Sequence, residues 1–189
     1  MDLSLFMVET AYIDYLRHDP KLIHVYDNKE DTAKFGRKYI GFVLTINDLN
    51  YFVPLSSSKS SDYDLMGNIR NDVIPIIRIL SKDVYGNPEL KGTIRFSSMI
   101  PVPDEAIIKY DIDSEPDPDY KILVQKQREF IKANQDRIYK NAIVLYTQKN
   151  KDDSFYIGKI KPNYLNSTID FKYAEQKCNE YKPRQNKTS

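Results

Sequence analysis

The stretch Arg37-Lys-Tyr-Ile-Gly-Phe-Val-Leu-Thr-Ile-Asn-Asp-Leu-Asn-Tyr-Phe-Val-Pro-Leu-Ser-Ser-Ser-Lys59 constrains the fold more than any other part of the chain. It reads as two β-strands around a tight turn. Ile40, Phe42, Val43 and Leu44 make the first strand apolar on both faces, the pattern of a strand covered on both sides. Asn47-Asp-Leu-Asn50 supplies turn chemistry, because Asn and Asp tolerate left-handed backbone and bond to nearby backbone groups. Residues 51–55 return as the second strand. Pro54 lacks a ladder donor and marks the end of that strand or an edge. Ser56-Ser57-Ser58-Lys59-Ser60-Ser61 then begins where an inner strand releases polar groups into a cleft. In a hairpin the start of one strand lies beside the end of the next, so Arg37 and residues 57–59 are expected to be neighbours. The same serine-rich composition also describes a flexible linker.

Around this hairpin, residues 3–8 read as a strand and 9–16 as a short helix carrying Tyr12, Tyr15 and Leu16, ended by His18-Asp-Pro20. Residues 22–26 read as a brief strand and 27–34 as a surface loop. Residues 73–80 form a buried strand, 85–88 a turn and 91–100 a further strand, which together make a second hairpin. Residues 106–112 are the last strand and 114–119 a loop. The periodicity then changes. Tyr120, Leu123, Val124, Gln127, Phe130, Ile131, Asn134, Ile138, Ala142 and Leu145 follow the spacing of a long amphipathic helix, with candidate breaks at Asn134 and Asn141. Residues 170–181 read as a terminal helix with Phe171, Ala174 and Cys178 facing inward, and 182–189 as a frayed tail. Strands first and helices after give an α+β fold. The length of 189 residues suits one domain spanning 1–189.

Net charge is only +1, but its distribution matters. Residues 104–119 hold seven acids and one lysine, a local charge of −6 that leaves +7 on the rest of the chain. A basic body with one segregated acidic segment is compatible with binding a polyanion. The 15 tyrosines, several beside Lys or Arg, suit stacking of unpaired bases, or equally half-buried strand positions. The single cysteine, Cys178, excludes an internal disulfide framework and suits a reducing cytoplasm. No apolar run is long enough to span a bilayer, and no basic leader region is evident. There is no phosphate-binding Gly-rich loop and no Cys/His cluster with metal spacing. His18 and His24 fall in different elements, and the acidic residues 111–119 read as a solvated loop. No metal or cofactor is therefore expected.

What remains is a set of hydroxyls, lysines, arginines and tyrosines, and cleaving RNA requires little more. The substrate's own 2′-OH can attack the adjacent phosphate if its proton is removed, cations stabilise the phosphorane, and a donor protonates the 5′-oxygen. Ser56, Ser57, Ser58 and Lys59 offer hydroxyls and a cation within four residues, with Arg37 expected alongside.

The chain also resembles the ToxN/AbiQ-like endoribonuclease toxins of type III toxin–antitoxin systems. The resemblance runs through Tyr12-Ile-Asp-Tyr-Leu16, Arg37-Lys-Tyr-Ile-Gly41, Tyr51-Phe-Val-Pro-Leu-Ser-Ser-Ser-Lys59, Phe96-Ser-Ser-Met-Ile-Pro101 with Val102-Pro103, Gln127-Arg-Glu-Phe-Ile-Lys-Ala-Asn134 and Asp170-Phe-Lys-Tyr-Ala-Glu175. It implies a twisted, mainly antiparallel β-sheet core related to the Kid/MazF-type barrel, with flanking helices and a long C-terminal helical region. It implies cytoplasmic, sequence-specific, metal-independent cleavage of cellular or phage RNA, as in abortive infection, leaving 2′,3′-cyclic phosphate and 5′-OH ends. It further implies inhibition by a small repeat RNA antitoxin that folds as pseudoknots and that the toxin also processes, often within RNA–protein rings.

The family's catalytic Thr/Ser-Ser-x-Lys corresponds to Ser56, Ser57 and Lys59, its helix tyrosine to Tyr12, and the basic residue before the strand glycine to Arg37. A loop tyrosine corresponds to Tyr26. Ser58 stands where the family has a proline. These matches imply that Lys59 stabilises the phosphorane while Ser57 orients the phosphate with Ser56 assisting. Tyr12 would donate a hydrogen bond or stack a base, and Arg37 would neutralise phosphate. Tyr26, Lys34, Lys38, Ser58 and Asn134 are RNA-binding candidates. Tyr12 reads equally as packed core, Asn134 as a helix breaker, and Lys34 and Lys38 as solvated surface cations. The rival class is a non-catalytic RNA-binding module in which the serine loop only clamps phosphate.

Overall fold

A computed structural model of the chain describes residues 4–26 and 38–182. Its centre is the expected hairpin, β2 (Gly41–Ile46) and β3 (Leu49–Ser56). The turn is the two residues Asn47 and Asp48, both left-handed with φ of 49° and 63°, and Ile46 pairs with Leu49. Left-handed pairs of this kind match the right-handed twist of flanking strands, which is why Asn-Asp is found here. Leu49 and Asn50, expected in the turn, already belong to β3. Phe42, Leu44, Ile46, Tyr51, Phe52 and Val53 are all fully buried.

Pro54 sits inside β3, not at its end, and the ladder explains why it is tolerated. The Leu55 N–H bonds the Ile40 carbonyl (2.9 Å), so odd positions of β3 address β2. The Val102 N–H bonds the Asn50 carbonyl (2.8 Å), so even positions address the other side. On that side, Tyr51 and Phe52 pair with one partner strand, while Leu55 and Ser56 pair with another. Pro54 falls between the two, where no donor is required. Opposite it lies Gly41. A Cβ there would meet the Val53 carbonyl oxygen at 2.3 Å and the Phe52 ring at 2.6 Å.

The remaining strands are β1 (Phe6–Val8), β4 (Ile76–Lys82), β5 (Pro88–Arg95), β6 (Ile100–Pro101) and β7 (Ile107–Lys109). They form a seven-stranded sheet in the order β4-β5-β3-β2-β1-β7, with β6 on β3 and every pairing antiparallel. Two expectations are corrected. Residues 91–100 are not one strand, because a single-turn helix at Phe96–Ser98 interrupts them and turns both Phe96 and Met99 into the core at a spacing of three. Residues 22–26 form no strand: Pro20–Leu22 is a short helical turn capped by Asp19, and Leu22 and Val25 bury themselves from it.

The helices are α1 (Thr10–Arg17), α2 (Pro118–Ala133), α3 (Gln135–Lys149) and α4 (Phe171–Glu180). The acidic segment does not remain loop to residue 119. Pro118 opens α2, and the Asp117 carboxylate accepts from the N–H groups of Asp119 and Tyr120 (3.0 and 3.1 Å), a cap that also suits the helix dipole. The long amphipathic pattern is two helices broken at Asn134. The terminal helix begins where expected, capped by Asp170, with Phe171, Ala174 and Cys178 buried. It is locked to β3 and α3 by Glu175, which accepts from the hydroxyls of Tyr51 and Tyr146 (both 2.7 Å) and faces Lys172 at 3.0 Å. Burial alone would raise the Glu175 carboxyl. The hydrogen bonds from Tyr146 and Tyr51, with Lys172 alongside, outweigh burial and hold it below its ordinary value. Bonds to a buried charge of this kind contribute about 1.5–3 kcal/mol each. Among the described residues, no helix is long and apolar enough to cross a membrane.

Because the Val53 backbone cannot move away from β2 without breaking the ladder, Gly41→Ala should destabilise the fold by about 1–3 kcal/mol, the usual cost of overpacking. Urea denaturation of the purified variant measures it; a midpoint equal to that of the parent contradicts the close approach.

Candidate active site

The Leu55–Ile40 hydrogen bond brings the exit of β3 against the start of β2, and a cleft of about 210 Å³ opens there. Lys38, Tyr39 and Ile40 line one side and residues 55–58 the next. Glu89, Leu90 and Lys91 of β5 form the third wall, and Tyr120, Leu123 and Gln127 of α2 the fourth. Two contacts fix these walls. Gln127, almost fully buried, donates through Nε2 to the Lys91 carbonyl (2.7 Å) and ties α2 to β5. Next to Lys91, Gly92 has φ of 132°, and a Cβ on it would come within 2.7 Å of the Ser56 carbonyl oxygen. A side chain at 92 would therefore push β5 away from the serine loop.

Ser56 is half-buried, whereas Ser57, Ser58 and Lys59 are exposed. A short helical turn at Ser60–Asp62 closes the loop: the Lys59 N–H bonds Asp62 Oδ2 and the Asp62 N–H bonds the Lys59 carbonyl, both at 2.9 Å. The serine-rich run is thus an ordered strand exit, not a linker. On the facing side, Lys38 pairs with Glu115 at 2.9 Å and lies 5.2 Å from the centre of the Tyr110 ring. The Tyr110 hydroxyl also donates to Glu115. That bond first, and Lys38 second, hold the Glu115 carboxyl below its ordinary value. The Tyr120 hydroxyl donates to the Lys38 carbonyl (3.2 Å), so the acidic segment and the start of α2 clasp the residue together.

The other sequence candidates divide. Tyr26 stacks on the cleft residue Tyr39, with ring centres 4.9 Å apart and planes 5° from parallel. Arg37 and Lys34 lie outside the described residues. Tyr12 is fully buried, its hydroxyl donating to the Pro101 carbonyl at 2.7 Å and its ring against Tyr181. Burial drives its phenol far above the ordinary value, so it stays un-ionised, and with its hydroxyl committed to the Pro101 carbonyl Tyr12 belongs to the core in this packing. Asn134 ends α2 with its Nδ2 on the Phe130 carbonyl (2.8 Å), and is not among the residues lining the cleft. Sequence reasoning missed Lys91, Glu89, Tyr120 and Gln127. The one local signal was Gly92, since glycine inside a strand often marks a close backbone approach.

The family described as Toxin ToxN, type III toxin-antitoxin system, matches residues 4–179. The chain belongs to this family. It is similar to Endoribonuclease AbiQ of Lactococcus lactis subsp. lactis, 31% identical over 182 residues that cover 96% of this chain and 90% of AbiQ. Two solved structures share the fold. One comes from work on selective toxin inhibition by a non-coding RNA pseudoknot in type III systems (TM-score 0.71, 27% identity, covering 97% of this chain and 100% of that one). The other is AbiQ, a lactococcal anti-phage endoribonuclease of a type III toxin–antitoxin system (TM-score 0.66, 25% identity, 95% and 97% covered).

In this ToxN-family chain the cleft can hold a charged chain between two cationic walls, Lys38 on one side and Lys91 on the other, with hydroxyls at its end. Neither lysine is free at present, because Lys38 engages Glu115 and Lys91 engages Glu89. Any anion entering the cleft would have to displace a carboxylate from each. Replacing Glu115 by Gln should release Lys38, tighten single-stranded RNA, and steepen the slope of log K against log[salt] by about 0.7, the value for one added phosphate contact. Filter binding across a salt series reads this; an unchanged slope would place Lys38 outside the RNA path.

Proposed function

We propose that the chain is a metal-independent endoribonuclease toxin of a type III toxin–antitoxin system. It cleaves cellular or phage RNA at the serine loop in a cytoplasmic setting and is held inactive by a repeat RNA that folds as a pseudoknot. The observation that carries this reading is the convergence of residues 56–58, with Lys59 next in sequence, on the cleft that Lys38 and Lys91 also line. Family membership and the likeness to AbiQ support it.

In the proposed reaction the 2′-oxygen attacks phosphorus and loses its proton, a new O2′–P bond forms, and the P–O5′ bond breaks as the 5′-oxygen gains a proton. The products are a 2′,3′-cyclic phosphate and a 5′-hydroxyl. Ser57 and Ser56 hydrogen-bond the non-bridging oxygens, and Lys59 neutralises the charge that grows on them in the transition state. Lys38 and Lys91 hold flanking phosphates, while Tyr120 on the cleft wall supplies an aromatic face for an unpaired base and Tyr26, stacked on the buried Tyr39, a second beside it.

Purified protein incubated with RNA in EDTA should yield cyclic-phosphate ends, mapped by end-specific labelling. Ser57→Ala and Lys59→Ala should each slow cleavage by about 10²–10³-fold, the usual effect of removing one transition-state donor, with unchanged circular dichroism. Uncut but shifted RNA would favour a binding module. Full activity in both variants would refute the site.

A further inference from the structure

Beneath the serine loop lies a charged cluster that the cleavage reaction does not touch. Asp62 is 1% exposed, an unusual place for a carboxylate unless paired. Its Oδ1 lies 3.4 Å from Arg78 Nη2 and its Oδ2 lies 3.7 Å from Arg95 Nη2. Arg78 is 5% exposed and further fixed by the Asn71 carbonyl. The Nε and Nη2 of Arg95 are buried with no hydrogen-bond partner among the described residues, so Asp62 is the anion that balances it.

The sheet register shows where this cluster sits. Ser56 pairs with Thr93 and Thr93 with Arg78, and directly opposed residues share a face. Ser56, Thr93 and Arg78 thus form one row across β3, β5 and β4, on the face that Asp62 covers. The same Oδ2 that faces Arg95 also accepts the backbone N–H of Lys59 at 2.9 Å. One carboxylate therefore joins the rigid floor of the sheet to the backbone of the proposed catalytic lysine.

We propose that Asp62 is a positioning residue for cleavage: clamped by Arg78 and Arg95, it fixes the backbone of Lys59 and with it the reach of that side chain toward the phosphate. Asp62 touches no substrate and acts through Lys59. This inference rests on the nuclease reading above and adds to it the device that makes an exposed lysine precise.

Two measurements on the full chain test it. In the wild-type protein, amide hydrogen exchange followed by NMR should show the Lys59 N–H protected; exchange at the rate of an unstructured peptide overturns the proposal without any variant. In Asp62→Asn, kcat should fall on the order of 10²-fold, the effect of misplacing a catalytic group by about 1 Å. KM and the affinity for a 2′-O-methyl RNA that cannot be cut should stay at the wild-type values. A folded Asp62→Asn with wild-type kcat overturns the proposal, as does a loss that matches the unfolded fraction in a urea titration. An active Lys59→Ala would remove the nuclease reading and this inference with it. An inactive Lys59→Ala beside an active Asp62→Asn would remove only the inference.

Discussion

The hydrogen bond from the Leu55 amide to the Ile40 carbonyl is the contact on which the site depends. It fixes the register of the central hairpin at its open end. A slip of one residue would turn every side chain of β3 to the opposite face, and because Tyr51, Phe52 and Val53 are buried on both faces, each would meet packing shaped for its neighbour. The alternation of donors along β3 follows from the same register, and it lets one strand serve β2 on one side and β6 and β5 on the other. Pro54 and Gly41 are opposed at the point where β3 passes from one partner to the next. Each is the residue type that its position demands.

Charge is arranged in layers around that hairpin. Carboxylates hold the structure in places where their partners are cations or tyrosines: Glu175 under the terminal helix, Asp62 under the serine loop and Glu115 at the cleft. The first two are deep in the protein, and removing either would strand buried polar groups, which makes them fixed parts of the scaffold. Glu115 differs because its cation, Lys38, is exposed on the cleft itself, where an incoming anion can reach it. An anion entering the cleft therefore meets cations already screened by the cleft's own acids. Such an arrangement favours a ligand that brings several phosphates at once over a single free anion.

Legibility from sequence followed the range of the interactions. The hairpin, the two flanking helices α1 and α4, and the serine loop were visible because local patterns encode them: alternation, an Asn-Asp turn, and caps such as Asp170. The place of Arg37, the expected partner of the serine loop, lies outside the described residues, and Lys38 holds the adjacent position on the cleft. Tyr12 reads from sequence both as a site residue and as core, and its burial comes from Pro101, 89 residues along the chain, and from Tyr181 just past the terminal helix, contacts that no local pattern encodes. Lys91 and Gln127 escaped notice because a lysine on a strand and a glutamine on an amphipathic helix carry no local sign of meeting at Gly92. Asp62 was hidden for the same reason, since only the fold brings Arg78 and Arg95 to it.

The most direct test of the account is a structure of the chain bound to an RNA whose reactive 2′-hydroxyl is replaced by 2′-O-methyl. The scissile phosphate should lie at hydrogen-bond distance from Ser57 Oγ and beside Lys59 Nζ, with the flanking backbone running past Lys38 and Lys91. A phosphate backbone bound on another face, with Ser57 and Lys59 still turned to solvent, would contradict it.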